Sequence, residues 1–310
     1  QAGGTGKTPM VEYLCSILSQ KYHVSVLSRG YKRLTFGFRM VALSDSFKEV
    51  GDEPAWLKRK YPHLNIGVAE NRVEGIPNLV GHALHTDCIL LDDGFQQQGI
   101  RIDLNILLTP YHSPYTKDQF LPVGRLREGK SEAKRADIII VTKCPENLLH
   151  KKSQVLQQLN IHLENHQIAF LSSIYYATPY LMNYEGILLS LKEVDTVLLL
   201  TGIADASPLV QYIESKVKTL KHLNFSDHYR YRIEEIELLE KEFEKLSSSG
   251  KTIILTTEKD AARLVNYRNK INELNLEIYV QPILLKWDDE ELLKKMVDQI
   301  LPQKQEESFL

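Results

Sequence analysis

Cysteine is scarce in this chain of 310 residues: Cys15, Cys88 and Cys144 are its only three, and no two stand close together. That excludes a disulfide framework and a cysteine zinc cluster, and it fits a reducing cytoplasm. Long apolar runs are missing too. A bilayer-spanning helix needs roughly 18 or more apolar residues in a row, whereas runs such as 138–141 and 196–200 have the length of buried strands. Neither sign of charge prevails: 38 basic against 40 acidic side chains leave a formal net charge of −2. No global basic field therefore draws the chain to nucleic acid. Low-complexity segments and internal repeats are absent. What remains is a globular composition, 43% hydrophobic, long enough for one large domain or two moderate ones.

Short apolar runs alternate with helical stretches along residues 1–145. Strands are expected over 24–27, 65–69, 88–91, 104–108 and 138–142, with helices over 10–20 and 53–60; residues 71–84 are expected to be helical only in part, broken at Pro77. Unbroken β-branched runs such as Ile138-Ile139-Ile140-Val141 suit strands buried on both faces of a parallel sheet. A polar stretch, 143–165, reads as a helical connector. Beyond it come strands at 196–201, 220–225, 252–256 and 278–280, helices at 208–220, 233–246 and 288–301, and a frayed tail, 302–310. The pattern predicts an α/β fold, a phosphate-loop NTPase-type parallel sheet flanked by helices, with a second, smaller α/β lobe. The expected division is 1–150 for the nucleotide-binding core and 151–310 for a lobe contributing to the active-site cleft. The boundary falls within 143–173, and the C-terminal helix is free to pack back on the core.

The strongest motif stands at the start. In Gly3-Gly4-Thr5-Gly6-Lys7-Thr8 the glycines let backbone amides curl around phosphate, Lys7 reaches β/γ oxygens, and Thr8 can ligate Mg²⁺ while opening a helix whose dipole favours the same anion. Gln1 and Ala2 complete this nucleotide-binding loop, Gln1 standing where the strict pattern has Gly. Such a loop needs a strand before it, so the N-terminus is expected to be missing, and a membrane anchor is expected there. Cys88-Ile-Leu-Leu-Asp92-Asp93-Gly94 is an apolar strand ending in two acids. By itself Asp-Asp-Gly reads as a turn; beside a phosphate loop it supplies the carboxylate that holds Mg²⁺ or its water.

Other motifs leave alternatives open. Gly51-Asp52-Glu53-Pro54 is either a helix start supported by the dipole or a catalytic base and metal ligand. Asp227-His228 can relay a hydroxyl proton, although a lone His is more often structural. Arg29-Gly30-Tyr31-Lys32-Arg33 and Gly124-Arg125-Leu126-Arg127-Glu128 suit anionic oxygens or are ordinary solvated charge. Thr257-Glu258-Lys259-Asp260 reads at least as well as a structural helix cap.

Eight such motifs in one order resemble the tetraacyldisaccharide 4'-kinase family, the lipid A 4'-kinases of Gram-negative bacteria. They include Gly51-Asp52-Glu53-Pro54, Asp92-Asp93-Gly94-Phe95-Gln96, Thr201-Gly202-Ile203-Ala204 and Phe225-Ser226-Asp227-His228, and the resemblance runs from residue 1 to about 264. It implies transfer of the ATP γ-phosphate to the 4'-hydroxyl of a tetraacyldisaccharide 1-phosphate. With it come Mg²⁺, an acylated lipid as partner with no obligate protein partner, and a peripheral seat on the cytoplasmic face of the inner membrane. Residue by residue, it implies that Asp52 and His228 act as a dyad at the sugar hydroxyl. Glu53, Asp92 and Asp93 would serve the metal and phosphates, and Arg127 an anionic oxygen. The chain departs from the family at Gln97, where the family usually has His, and at Ala204-Asp205-Ala206, where it commonly shows Ala-Asn-Pro.

Two rivals share the loop. A GTPase or metallochaperone-type switch needs an Asn-Lys-x-Asp element, and Val141-Thr142-Lys143-Cys144 offers only the Lys. An ATP-dependent ligase would activate a carboxylate and would have no use for Asp52 and His228 as a base.

Overall fold

The structure is a computed structural model and describes residues 4–83, 85–97, 99–182, 184–247 and 250–301. Gln1, Ala2 and Gly3 of the expected loop and the tail 302–310 lie outside the described residues. The fold is α/β, mostly parallel strands flanked by helices, as expected. The chain divides into two compact units, Gln1–Tyr175 with Leu285–Leu310, and Tyr176–Leu284.

In the first unit, strands β1 (Val24–Ser28), β2 (Arg39–Met40), β3 (Asn65–Val68) and β4 (Cys88–Leu91) form one sheet in the order β2-β3-β1-β4. Here β1 runs parallel to both β3 and β4. Next come β5 (Ile106–Pro110), β6 (Ile138–Thr142) and β7 (Ile168–Tyr176), with β6 parallel to both neighbours. Every residue of β6 is buried, as a strand covered on both faces requires. Helices α1 (Lys7–Leu18), α2 (Phe47–Val50), α3 (Asp52–Lys60), α4 (Arg72–His82) and α5 (Lys152–Gln158) connect these strands. On α1 the buried residues are Met10, Leu14, Cys15 and Leu18, the spacing of one helical face.

Pro77 does not break α4, contrary to the expectation from its chemistry. It lies inside a helix whose Leu79 is fully buried, and an added Cβ at Gly75 would stand 2.8 Å from Ala69 Cβ. Packing this close offsets the lost amide donor. The connector expected over 143–165 is helical only at 146–148 and 152–158. The buried strand β7 follows it, its apolar pattern masked in the sequence by buried Ser172 and Ser173.

The second unit carries one sheet, built from β8 (Tyr180–Leu181), β9 (Tyr184–Leu188), β10 (Thr196–Thr201), β11 (Thr219–Asn224), β12 (Thr252–Thr257) and β13 (Ile278–Gln281). Its order is β11-β10-β12-β13-β8-β9, parallel through the first four. Helix α6 (Ser207–Glu214) is shorter than the 208–220 expected, because 219–224 is drawn into the sheet beside β10. Helices α7 (Ile233–Leu246), α8 (Glu258–Leu264) and α9 (Arg268–Glu273) complete this unit.

The chain then re-enters the first unit with β14 (Ile283–Trp287), which borders β7, and helix α10 (Glu290–Ile300). Tyr13 of α1 donates to Glu290 at 3.0 Å and stacks obliquely on Trp287, and Asp288 accepts from the Leu171 amide at 2.9 Å. These contacts account for the return of 285–301 to the first unit.

Candidate active site

The parallel sheets of the first unit end where the expected phosphate loop stands. Gly6, with φ 89°, is the N-cap of α1, and its carbonyl accepts the Met10 amide. A Cβ at Gly6 would meet the Thr142 side chain at 3.4 Å, and Thr142 Oγ1 donates to the Thr5 carbonyl at 2.8 Å. The C-terminal end of β6 therefore props the loop. Thr142 escaped the sequence reading, although a small polar residue closing a buried parallel strand faces the end where such sheets bind ligands.

Lys7, the first residue of α1, stands 3.5 Å from Asp93 Oδ1, and Arg127 Nη1 lies 2.9 Å from Asp93 Oδ2. Burial by itself raises the Asp93 carboxyl, but the Lys7 ammonium and the Arg127 guanidinium outweigh it and hold the group below the usual carboxylate range. Asp93 has φ 54°, the left-handed region that Asp tolerates better than most residues. The turn points its carboxylate at two cations, Lys7 and Arg127.

Asp92 has the opposite environment. Burial first, and then the nearby Glu53 carboxylate, push it up to about 6, against the Ser28 hydroxyl that donates to its Oδ2 at 3.0 Å. Glu53 accepts a hydrogen bond from Thr8 Oγ1. Arg72 donates through Nη2 to the Asp92 carbonyl at 3.0 Å and so fixes the end of β4. Thr8, Glu53 and Asp92 are the expected metal set, and their chemistry fits Mg²⁺: hard oxygens, two of them carboxylates whose repulsion a divalent cation would relieve. Among the described residues no cluster of three or more His, Cys, Asp or Glu could hold a metal unaided. Asp52 opens α3, and Gly51 before it has φ 93°.

A cavity of about 640 Å³ runs between β4 and β5, with Met10, Leu14 and Leu18 of α1 in its wall. Lys7, Asp92, Asp93 and Arg127 also line it.

His228 belongs to the second unit. Its amide donates to the Gly202 carbonyl at 3.1 Å, its φ is 59°, and its Nε2 lies 3.7 Å from Asp227. Behind it is a buried brace. Asp260, fully buried, accepts from the Gly202 amide, Thr257 Oγ1, Tyr231 Oη and Arg263 Nη1. Arg263 also donates to the Gly202 carbonyl at 2.8 Å and approaches His228 Nδ1 at 3.5 Å through Nη2. A guanidinium only donates, so Nδ1 is the nitrogen that would accept from it. Arg263 gave no signal in the sequence beyond following the Thr257-Glu258-Lys259-Asp260 cap by one helical turn. Arg263→Lys keeps a cation opposite Asp260 but loses the fork. It is expected to destabilise the protein by about 1–2 kcal/mol, measurable by chemical denaturation, with the His228 ring signals shifted in NMR spectra.

Three comparisons bear on this site. The family model described as tetraacyldisaccharide-1-P 4'-kinase matches residues 1–302. A tetraacyldisaccharide 4'-kinase of Phocaeicola vulgatus is 38% identical over 286 residues, covering 91% of this chain and 78% of the relative. That of Parabacteroides distasonis is 39% identical over 287 residues, covering 91% and 77%. Among solved structures, LpxK from Aquifex aeolicus in complex with ATP superposes with a TM-score of 0.70 at 28% identity, covering 97% of this chain and 86% of that one.

Proposed function

Because the chain belongs to the tetraacyldisaccharide-1-P 4'-kinase family, we propose that its loop holds ATP for transfer of the γ-phosphate to the 4'-hydroxyl of a tetraacyldisaccharide 1-phosphate. Kinase activity and ATP as phosphoryl donor go with the family. The division of labour among residues rests on one observation above all: Lys7, Thr8, Glu53, Asp92, Asp93 and Arg127 converge at the N-terminus of α1.

Lys7 and the described amides of the loop would grip the triphosphate. Thr8, Glu53 and Asp92 would hold Mg²⁺, which when bound neutralises charge on the β- and γ-phosphates. Asp93 keeps Lys7 and Arg127 aligned before ATP arrives, and Arg127 then passes to an equatorial phosphate oxygen. The acceptor O–H loses its proton as the oxygen forms its bond to phosphorus and the bond to the β-phosphate oxygen breaks, with ADP as leaving group. We assign the proton to Asp52. His228, whose Nδ1 faces Arg263, would be the dyad's second member. Positioning is most of what phosphoryl transfer asks of a protein.

The acceptor is a lipid, and a peripheral seat on the cytoplasmic face of the inner membrane is part of the proposal. No helix among the described residues is long and apolar enough to cross a membrane. Incubation with labelled ATP and a tetraacyldisaccharide 1-phosphate is expected to place label on the lipid. ADP release that depends on an added carboxylate, with none on the lipid, would establish the ligase instead.

A further inference from the structure

Between β1 and β2 the chain forms a loop, 29–37, that is internally ordered yet displays large apolar side chains to solvent. Tyr31 and Leu34 are each 63% exposed and Phe36 is 89% exposed. Such groups on a mobile tip would carry no argument, but these are held. Arg33, its side chain 2% exposed, donates to Gly37 O and to Glu70 Oε1, both at 2.5 Å. Glu70 in turn accepts the Gly37 amide at 3.1 Å, Thr35 Oγ1 donates to the Glu49 carbonyl, and the Leu34 amide to the Lys48 carbonyl at 2.7 Å. Arg33 and Thr35 and the Leu34 and Gly37 amides are thus turned inward, while Tyr31, Leu34 and Phe36 stay outward.

Beside them stand exposed cations. Arg29, Lys32 and Lys48 are exposed, and Lys32 Nζ sits 5.5 Å from the Tyr31 ring centroid. The neighbouring acids are engaged, Glu70 by Arg33 and Glu49 by Ser46 and Arg39. Apolar and aromatic side chains flanked by exposed cations match the boundary between acyl chains and anionic headgroups. The loop is also coupled to the site. The Gly30 amide donates to Ser28 Oγ, which donates to Asp92, and a Cβ on Gly51 would lie 3.0 Å from Gly30 Cα.

We propose that loop 29–37 docks the protein on an anionic lipid bilayer, with Leu34 and Phe36 entering the interface and Lys32 and Lys48 meeting the headgroups. This deepens the kinase reading, on which it rests for its acceptor: a bilayer at this loop delivers an acylated sugar next to Asp52.

Flotation with vesicles of phosphatidylethanolamine and phosphatidylglycerol tests it. The parent chain is expected to float with these and not with phosphatidylcholine alone. Leu34→Ser with Phe36→Ser, changes at exposed positions that leave melting unaltered, is expected to weaken partitioning about tenfold or more. Lys32→Gln with Lys48→Gln is expected to weaken it and flatten its salt dependence. For the serine variant, KM for a long-chain acceptor in vesicles should rise while kcat on a short-acyl acceptor in solution stays at the parent value. The proposal is overturned if the parent ignores anionic vesicles, or if the serine variant floats as well as the parent. It fails equally if the serine changes only abolish self-association of the chain. Failure of the parent to phosphorylate the short-acyl acceptor would strike the kinase reading, and flotation would still decide the docking surface.

Discussion

Lys7→Ala is expected to lower phosphoryl transfer roughly 10³-fold or more, a loss of about 4 kcal/mol or more of transition-state stabilisation. The side chain stands 3.5 Å from Asp93, which also holds Arg127 at 2.9 Å, so its removal deletes one of the two cations that meet at this carboxylate and that the proposed mechanism uses. The fold should hardly notice. Lys7 and Asp93 side chains are 28% and 29% exposed, and a pair so placed contributes on the order of 1 kcal/mol or less. Single-turnover kinetics at saturating ATP, beside a melting curve, separate the two effects. A Lys7→Ala enzyme with near-parental turnover would refute the assignment of the loop.

Asp92→Asn carries the second large effect, and it is expected to move activity and stability in opposite directions. Loss of a ligand oxygen for Mg²⁺ should reduce turnover on the order of 10²-fold or more. Without nucleotide, the variant should be the more stable protein at neutral pH. Folding raises the Asp92 carboxyl from 3.8 to about 6, first by burial and then by the facing Glu53. A raised carboxyl disfavours the ionised form in the fold, so the penalty is complete above pH about 6, shrinks as pH falls, and is gone below about 4. A rise of that size corresponds to about 3 kcal/mol, an upper figure because Glu53 shares the proton balance. Denaturant titrations of parent and Asp92→Asn across that window should converge at its acid end. If the parent is instead the more stable at pH 7 without nucleotide, the two carboxylates do not oppose one another and the metal assignment loses its basis.

Much of this was visible in the residues because their demands coincide. The run 138–142 can only be a strand enclosed on both sides, and β4, β6, β10 and α7 begin and end where the sequence says. The loop and the acids at 92–93 announce themselves because phosphate and metal chemistry need rare residues at fixed spacing. The unread parts depend on contacts between distant segments. Pro77 should stop a helix by its own chemistry, and only the packing around Gly75 and Leu79 shows why it does not. Asp93 reads as a metal or phosphate residue, and only the folded turn shows it set between Lys7 and Arg127, which stand 86 and 34 positions away. Ser28, Arg72 and Arg263 are invisible for the same reason: each acts on an atom of a distant segment, the Asp92 carboxylate, the Asp92 carbonyl and the His228 ring, that the chain brings near only once folded.

The meeting of Gly30 and Gly51 limits what variation this protein can accept. Each main chain presses on the other, and a methyl group at Gly30 would also come within 2.8 Å of the Val50 carbonyl. Both residues have left-handed torsions, φ 66° and 93°, so the steric conflict and the torsional one fall on the same two positions. Compensation is closed off, because neither partner has a side chain to give up. Under random mutagenesis with selection for growth, codons 30 and 51 should stay fixed together while the exposed tip at Phe36 drifts among other apolar residues.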